Sequence, residues 1–314
     1  MKKIIITGGL GHIGSFLINK ILNTKKKIHL IIIDPLYSKR YPSLFNINKK
    51  SNKLSFYDID VKSNKSNKLF KNAKIIIHLA AKTDASSSFG KEKEYLKSNF
   101  DSTKKVVQMA KNSGALLIFP SSTSVYGTMK KNDLITEADK NKIFPQSPYA
   151  KIKIKEENLI KKELKKKKFI ILRLGTIIGS SIGMRFHTAV NKFCYQACLN
   201  KKITVWKSAY KQVRPYLTLK DVLKCINIFI EHPNRNINQT YNLVSRNISV
   251  EQIINYIRIK KKVKLSFVNN KIMNQMSYNI CNKKIINLGF RPQKNIKNEI
   301  FNTINSLNFS NIKN

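Results

Sequence analysis

Apolar and polar positions follow two rhythms along the first half of the chain. Short runs of β-branched and aliphatic residues are separated by stretches in which apolar residues return every three or four positions. The first rhythm predicts strands over residues 3–7, 28–33, 53–57, 74–79, 115–119 and 169–174. The second predicts helices over 12–22, 96–112 and 149–168. Strands joined by helical crossovers predict an α/β fold, a parallel sheet with helices on both faces. Beyond Gly175 the pattern loosens, and helices are expected over 188–200 and 221–231. No internal repeat or low-complexity linker interrupts the chain, so any domain boundary is soft.

The turn after the first strand reads ITGGLGHIG. Gly9, Gly11 and Gly14 satisfy G-x-G-x-x-G, and Gly8, Gly11 and Gly14 satisfy G-x-x-G-x-x-G. Residues without Cβ let backbone amides approach a pyrophosphate at a helix N-terminus, although a glycine cluster alone fits any tight turn. Asp34, 20 residues after Gly14 at the end of the second strand, adds the missing half. A carboxylate there binds the ribose hydroxyls of NAD and repels the extra phosphate of NADP. Lys39 and Arg40 weaken that exclusion without reversing it.

A second cluster is Ser147-Pro148-Tyr149-Ala150-Lys151-Ile152-Lys153. Ser147 suits an N-cap and Pro148 the first helical position, which places Tyr149 and Lys153 four apart on one face. A phenol with an ordinary pKa of about 10 is a poor base at neutral pH. A neighbouring ammonium and a nicotinamide cation both favour phenolate, so Tyr149 is expected below its ordinary value. Such a pair takes the proton from an alcohol while hydride leaves the same carbon. Alone, Y-x-x-x-K arises readily by chance in a lysine-rich chain.

Composition narrows the class. The 314 residues, 42% hydrophobic, are enough to bury a large core. No apolar run approaches the roughly 20 residues of a membrane span, and the apolar stretch in MKKIIITGGLG is too short for a signal peptide. Cys194, Cys198, Cys225 and Cys281 suggest no disulfide framework, and a cytoplasmic location is expected. No metal-ligand spacing stands out, since Cys194 and Cys198 lack a completing pair and read as plain thiols. Sixty basic against 17 acidic residues give a net charge of +43. Yet 52 are Lys and 8 Arg, spread over the chain beside abundant Asn and Ile, all residues of A/T-rich codons. The charge therefore reads as compositional, with no specific nucleic-acid partner, though it attracts anionic substrates. The lysine clusters at 165–168 and 260–264 read as solvated surface.

Taken in order, these motifs resemble the extended short-chain dehydrogenase/reductase family of NAD-dependent nucleotide-sugar epimerases and dehydratases. The matching segments are TGGLGHIG, Asp34, Asp58-Ile59, HLAA at 78–81, Asn99, SSTSVYG at 121–127, PYAKIK, LRLGTIIG, RPYLTLKDV, YNLVS and LGFRP. The resemblance implies a Rossmann-type doubly wound parallel sheet binding NAD over residues 1–174, rejoined by the chain near 215–245. A smaller α/β substrate-binding domain is implied mainly over 175–314. Gly8, Gly11, His12, Ile13, Gly14 and Asp34 would hold the cofactor, with Asp58 and Ile59 at the adenine. Leu79, Ala80, Ala81 and Asn99 would line it, and Tyr149 and Lys153 would grip the nicotinamide ribose. Ser122 would be the catalytic hydroxyl at the sugar O4, Tyr149 the base, and Lys153 its charged neighbour. Thr83, Thr123, Thr176, Arg185 and Arg214 would face the nucleotide sugar, Arg214 at its diphosphate. No metal is implied, and a homodimer is the expected assembly.

Three departures refine this expectation. Ile152 replaces the Ser usual before the Lys, and Thr176 replaces the Asn of L-R-x-x-N. Thr123 and Ser124 stand where dehydratases carry an acidic pair, which removes their general acid and favours epimerisation, expected at C4 of a UDP-hexose. The competing readings are another nucleotide-sugar oxidoreductase or modifying enzyme, and a silent NAD-binding regulator. His78 reads as a packing residue, Glu156 and Glu157 as ordinary helix-surface charges. Residues 184–187, MRFH, adjoin the expected sugar pocket.

Overall fold

The computed structural model describes residues 1–314 apart from 25–26, 37–38, 46, 48–51, 128–133, 270–277 and 308–314. The chain opens with β1 (Lys2–Thr7), α1 (His12–Leu22), β2 (Ile28–Ile33), β3 (Lys53–Tyr57) and β4 (Ile75–His78). It continues through α2 (Glu92–Tyr95), α3 (Asp101–Ser113), β5 (Leu116–Ser122), β6 (Leu134–Ile135), α4 (Pro148–Glu163), β7 (Phe169–Leu174) and β8 (Thr176–Ile178). The remainder is α5 (Ala189–Cys198), β9 (Ile203–Trp206), β10 (Val213–Thr218), α6 (Leu219–Glu231), β11 (Gln239–Leu243) and β12 (Arg246–Ser249). It ends with α7 (Val250–Arg258), β13 (Leu265–Val268), β14 (Asn279–Ile280), α8 (Lys283–Ile286) and α9 (Ile296–Ser306).

Seven strands form one parallel sheet in the order β11-β7-β5-β4-β1-β2-β3. Its strands are near-continuous Ile and Leu because both faces are covered. Alternate residues separate cleanly. Ile4, Ile6, Leu30 and Ile32 pack with Leu17 and Ile21 of α1 and Ile226 and Phe229 of α6. Ile5, Ile31, Ile76 and Leu117 pack with Val106 and Ala110 of α3 and Ile160 of α4. The strand order turns back between β1 and β4, and in such sheets the crevice beyond the strand ends at that point is where ligands bind. A separate apolar cluster, including Phe193, Ile253 and Ile300, joins α5, α7 and α9 to β9 and β10.

Two expected helices differ. The stretch predicted at 96–112 follows the short α2 and opens as a π-turn over Leu96–Phe100 before α3. The helix predicted to reach residue 168 ends at Glu163. Leu164 is buried and lysines 165–167 are exposed, so the run offers no apolar stripe to continue the helix before β7. The short strands β8 to β14 lie where the sequence showed little periodicity.

Candidate active site

A cleft of about 1070 Å³ opens along the carboxyl ends of the strands, from the glycine turn to Arg214. Its floor is built by necessity. Gly8 has φ +69°, and a Cβ there would lie 2.5 Å from the Ala80 backbone nitrogen. A Cβ on Gly14 would lie 2.3 Å from the Gly9 carbonyl oxygen. Both positions exclude any side chain. Gly11, His12 and Ile13 face the cleft between them, and Leu79, Ala80 and Ala81 line it after β4. Asp34, buried at the end of β2, accepts the Leu10 N–H at 2.9 Å through Oδ2, with Arg40 close by. This glycine cradle beside a buried carboxylate fits a dinucleotide with free ribose hydroxyls. Asp34→Ala should reduce the preference for NAD over NADP roughly tenfold or more, the worth of a charge-assisted hydrogen bond. Titrations of both cofactors read this directly, and an unchanged ratio would remove Asp34 from that role.

Three residues expected at the cofactor do not line the cleft. Asp58 is exposed at the end of β3, where Oδ1 accepts the Leu36 N–H at 2.7 Å, and neither it nor Ile59 lines the cleft. Asp60 and Val61 do, because two further residues carry the chain round to the cleft wall. Asn99 is fully buried and clamps Lys82 instead, donating to its carbonyl at 2.9 Å and accepting its N–H at 2.8 Å. These bonds hold the loop after β4.

The segment from Ser180 to His187 lies across the glycine turn. The His12 ring donates from Nδ1 to Ser181 Oγ at 2.7 Å, because the Ser181 proton goes to the His12 carbonyl at 2.9 Å. His12 Nε2 then accepts from Asn191 Nδ2 at 3.2 Å, and the Gly183 N–H donates to Ser15 Oγ at 3.0 Å. Burial, with Arg185 next, pulls His12 down to about 3, so the ring stays neutral. Arg185 reaches Thr83 Oγ1 at 3.0 Å from Nη1, while its buried Nε has no hydrogen-bond partner among the described residues. Burial first, and then the neighbouring Arg40, pull Arg185 down to about 10, a penalty on its charge that a bound anion would relieve.

At the other wall Ser147 caps α4, its Oγ accepting the Ala150 N–H at 3.2 Å with Pro148 following. Tyr149 and Lys153 are both buried, and Tyr149 shares a hydrogen bond with Ser122 at the end of β5. The Lys153 ammonium sits 5.9 Å from the Tyr149 ring centroid and 4.5 Å from that of Phe119. The expected lowering of Tyr149 is not found: burial pushes the phenol above its ordinary value, outweighing the pull of Lys153. Sequence spacing shows the ammonium but not the desolvation. Thr123, Ser124 and Thr176 line the same region with hydroxyls. Arg214 lines it farther out, donating to Gln212 Oε1 at 2.8 Å with its guanidinium 5.3 Å from the Tyr278 ring centroid.

Glu156 and Glu157 are not surface charges. Each is buried to within 1% of its surface. Glu157 pairs bidentately with Arg173 of β7, at 2.9 Å to Nε and 2.7 Å to Nη2, and accepts Ser121 Oγ at 2.7 Å. Glu156 lies 2.9 Å from Lys153 Nζ. Their partners are remote in sequence or sit on the inner face of a helix whose composition looks solvent-exposed. Cys194 and Cys198 are buried in the apolar cluster of α5. His78 is buried in a hydrogen-bonded row between Thr7 and Thr103. No group of three or more His, Cys, Asp or Glu among the described residues is placed to hold a metal. No helix among them is long and apolar enough to cross a membrane.

The family model described as NAD dependent epimerase/dehydratase matches residues 4–243. A trifunctional UDP-glucose 4,6-dehydratase/UDP-4-keto-6-deoxy-D-glucose 3,5-epimerase/UDP-4-keto-L-rhamnose-reductase of Arabidopsis thaliana is 24% identical over 92% of this chain. The chain spans 44% of that relative's length. Among solved structures, a UDP-N-acetylglucosamine 4-epimerase from Methanobrevibacter ruminantium M1 superposes with a TM-score of 0.84 at 22% identity, over 97% of both chains. A UDP-glucuronic acid 4-epimerase from Bacillus cereus, in complex with UDP-glucuronic acid and NAD, gives 0.83 at 22% identity, over 97% of this chain and 98% of its own.

Proposed function

Because the chain belongs to the NAD-dependent epimerase/dehydratase family, with NAD as cofactor, we propose that it is a nucleotide-sugar epimerase acting at C4 of a UDP-hexose. The observation that carries this reading is the hydroxyl-lined wall at Ser122, Thr123 and Ser124 beside Tyr149 and Lys153. Dehydration needs an acid there to protonate a leaving hydroxyl, and no carboxyl stands at 123 or 124. Asp84, in the loop after β4, also lines the cleft. Burial opposes its ionisation, but hydrogen bonds from Ser87 hold it below its ordinary value, which suits it poorly as a general acid. Held by the glycine turn and Asp34, NAD would supply reversible hydride acceptance at C4.

In this reading Ser122 orients the sugar O4 and Tyr149 takes its proton. Lys153 stabilises the phenolate form that accepts this proton and anchors the nicotinamide ribose, while Arg185 and Arg214 meet the anionic nucleotide. Asp60 and Val61 take the adenine-side role that Asp58 and Ile59 do not reach. Residues 1–174, with β11 at the sheet edge, hold the cofactor, and 175–314 supply most of the sugar-nucleotide wall. A cytoplasmic homodimer completes the reading, and light scattering tests the assembly. Incubation with a panel of nucleotide sugars, following sugar identity and free NADH by chromatography, tests the function. Interconversion of C4 epimers without net NADH supports it, and a 4-keto-6-deoxy product or stoichiometric NADH would overturn it.

An epimerase must keep its cofactor between the two hydride transfers, and the segment over the glycine turn suits that need. A Cβ on Gly183 would lie 2.4 Å from the Leu10 carbonyl oxygen and 2.7 Å from that of Gly11. Gly183→Val should therefore lift the segment and speed NAD release roughly tenfold, a change of about 1.4 kcal/mol. Stopped-flow displacement of bound NADH fluorescence measures the rate, and an unchanged rate would show that the segment does not retain the cofactor.

A further inference from the structure

Glu156 takes no part in the chemistry above, yet its two oxygens join the catalytic lysine to a row of buried polar groups. Oε2 lies 2.9 Å from the Lys153 ammonium, and Oε1 accepts from Thr103 Oγ1 on α3 at 2.6 Å. With its one proton committed, Thr103 accepts from His78 Nε2 at 3.1 Å. His78 Nδ1 then accepts from Thr7 Oγ1 on β1 at 2.6 Å. Burial, with the Lys153 charge next, pulls His78 down to about 3, so the ring is neutral and its tautomer is set by the row. Every proton from Thr7 onward is directed toward Glu156, the arrangement a buried carboxylate anion requires.

We propose that Glu156 is a positioning residue: a buried anion, fixed by the Thr7–His78–Thr103 row, that holds the Lys153 ammonium in place and sets how readily Tyr149 gives up its proton. The proposal rests on the reading of Tyr149 and Lys153 as the reacting pair. Several charged and titratable groups face that pair. Lys153 and Glu156 act on Tyr149 from its own helix, Tyr95 from α2 and Arg185 from the segment over the glycine turn. Ser122 hydrogen-bonds the phenol from the end of β5. Lys153 is faced by Glu156, Glu157, Tyr149 and, from β4, His78. Burial pushes Tyr149 up, Lys153 draws it down and Glu156 pushes it up again. Burial opposes the charge on Lys153, and Glu156 is the chief group restoring it, leaving the amine above its ordinary value.

Glu156→Gln keeps a carbonyl oxygen for Thr103 and removes only the charge. Both ionisations should then move to lower pH, that of Tyr149 by about one unit, the lower end of single-charge effects. The ligand-free protein shows this as absorbance at 295 nm titrated with pH, taken as the difference from the same protein carrying Tyr149→Phe. In turnover, both limbs of the kcat profile should shift to lower pH with KM for the nucleotide sugar unchanged. Glu156→Asp should restore part of the shift. Should Glu156→Gln fail to fold, Thr103→Val leaves the carboxylate charged but removes the hydroxyl dipole that screens it, and should move the inflection to higher pH by less than about one unit. An unmoved Tyr149 inflection in a folded variant would overturn the proposal. Full turnover in Tyr149→Phe would instead overturn the underlying reading, while the ligand-free titration still tests the coupling.

Discussion

Tyr149→Phe should lower turnover by about 10² to 10⁴, the usual contribution of a positioned general base, while NAD and nucleotide sugar still bind. The change removes only the phenolic oxygen that shares a hydrogen bond with Ser122. The pH behaviour follows from the burial of this phenol. In the ligand-free cleft it sits above its ordinary value, so very little phenolate exists at neutral pH. A bound nicotinamide cation favours phenolate, and by linkage the phenolate form must bind the oxidised cofactor more tightly by the same factor. Affinity for NAD should therefore rise with pH toward the Tyr149 ionisation, and Tyr149→Phe should flatten that dependence. Calorimetry at several pH values measures it. Lys153→Ala should be at least as harmful, since it removes the ammonium that opposes the burial penalty, and the double variant should be little worse than the poorer single. Near-wild-type turnover in Tyr149→Phe with sugar bound would mean that another group is the base.

What the sequence revealed of this site is what local spacing encodes. The glycine turn, Asp34 at a strand end, and the Ser147-Pro148 start that sets Tyr149 and Lys153 on one helical face all follow from neighbours in the chain. The central strands were equally legible, because a sheet covered on both faces demands unbroken runs such as Lys2–Thr7 and Ile28–Ile33. The differences lie where the decisive partner is distant. Asp58 and Asp60 are alike in sequence, and only the bend after β3 decides which reaches the cleft. Asn99 has the chemistry of a ligand contact but faces the Lys82 backbone. The short strands β8 and β10 pair with each other although 34 residues separate them in the chain, so neither carries a strong period of its own. For Glu156, Glu157 and the Tyr149 phenol, burial decides the outcome, and burial is a property of the assembled fold.

The Glu157–Arg173 pair shows how large that hidden contribution is. Arg173 is buried on β7, forks onto both Glu157 oxygens, and donates to the Tyr126 hydroxyl at 2.8 Å. Tyr126 in turn donates to Asn242 Oδ1 on β11 at 2.8 Å, so one guanidinium ties α4 to two strands of the sheet. Arg173→Met keeps the side-chain length but leaves the Glu157 charge with Ser121 and the partly exposed Lys161. Breaking a buried pair in this way typically costs about 3 to 5 kcal/mol, because one charge remains desolvated. Replacing both residues by Met should recover most of that loss. Burial alone pushes Glu157 up, but the Arg173 hydrogen bonds and charge overcome it and hold the carboxyl below its ordinary 4.5. The stabilisation is therefore complete above the ordinary value and is lost as pH falls through the depressed one. In Arg173→Met the uncompensated carboxyl rises and discharges by taking up a proton. The difference in Tm between wild type and variant should be widest near neutral pH and should narrow as the solution is acidified below about pH 5. Calorimetric melts across that range measure it, and a difference that stays constant with pH would show that the loss comes from packing rather than from the buried charge.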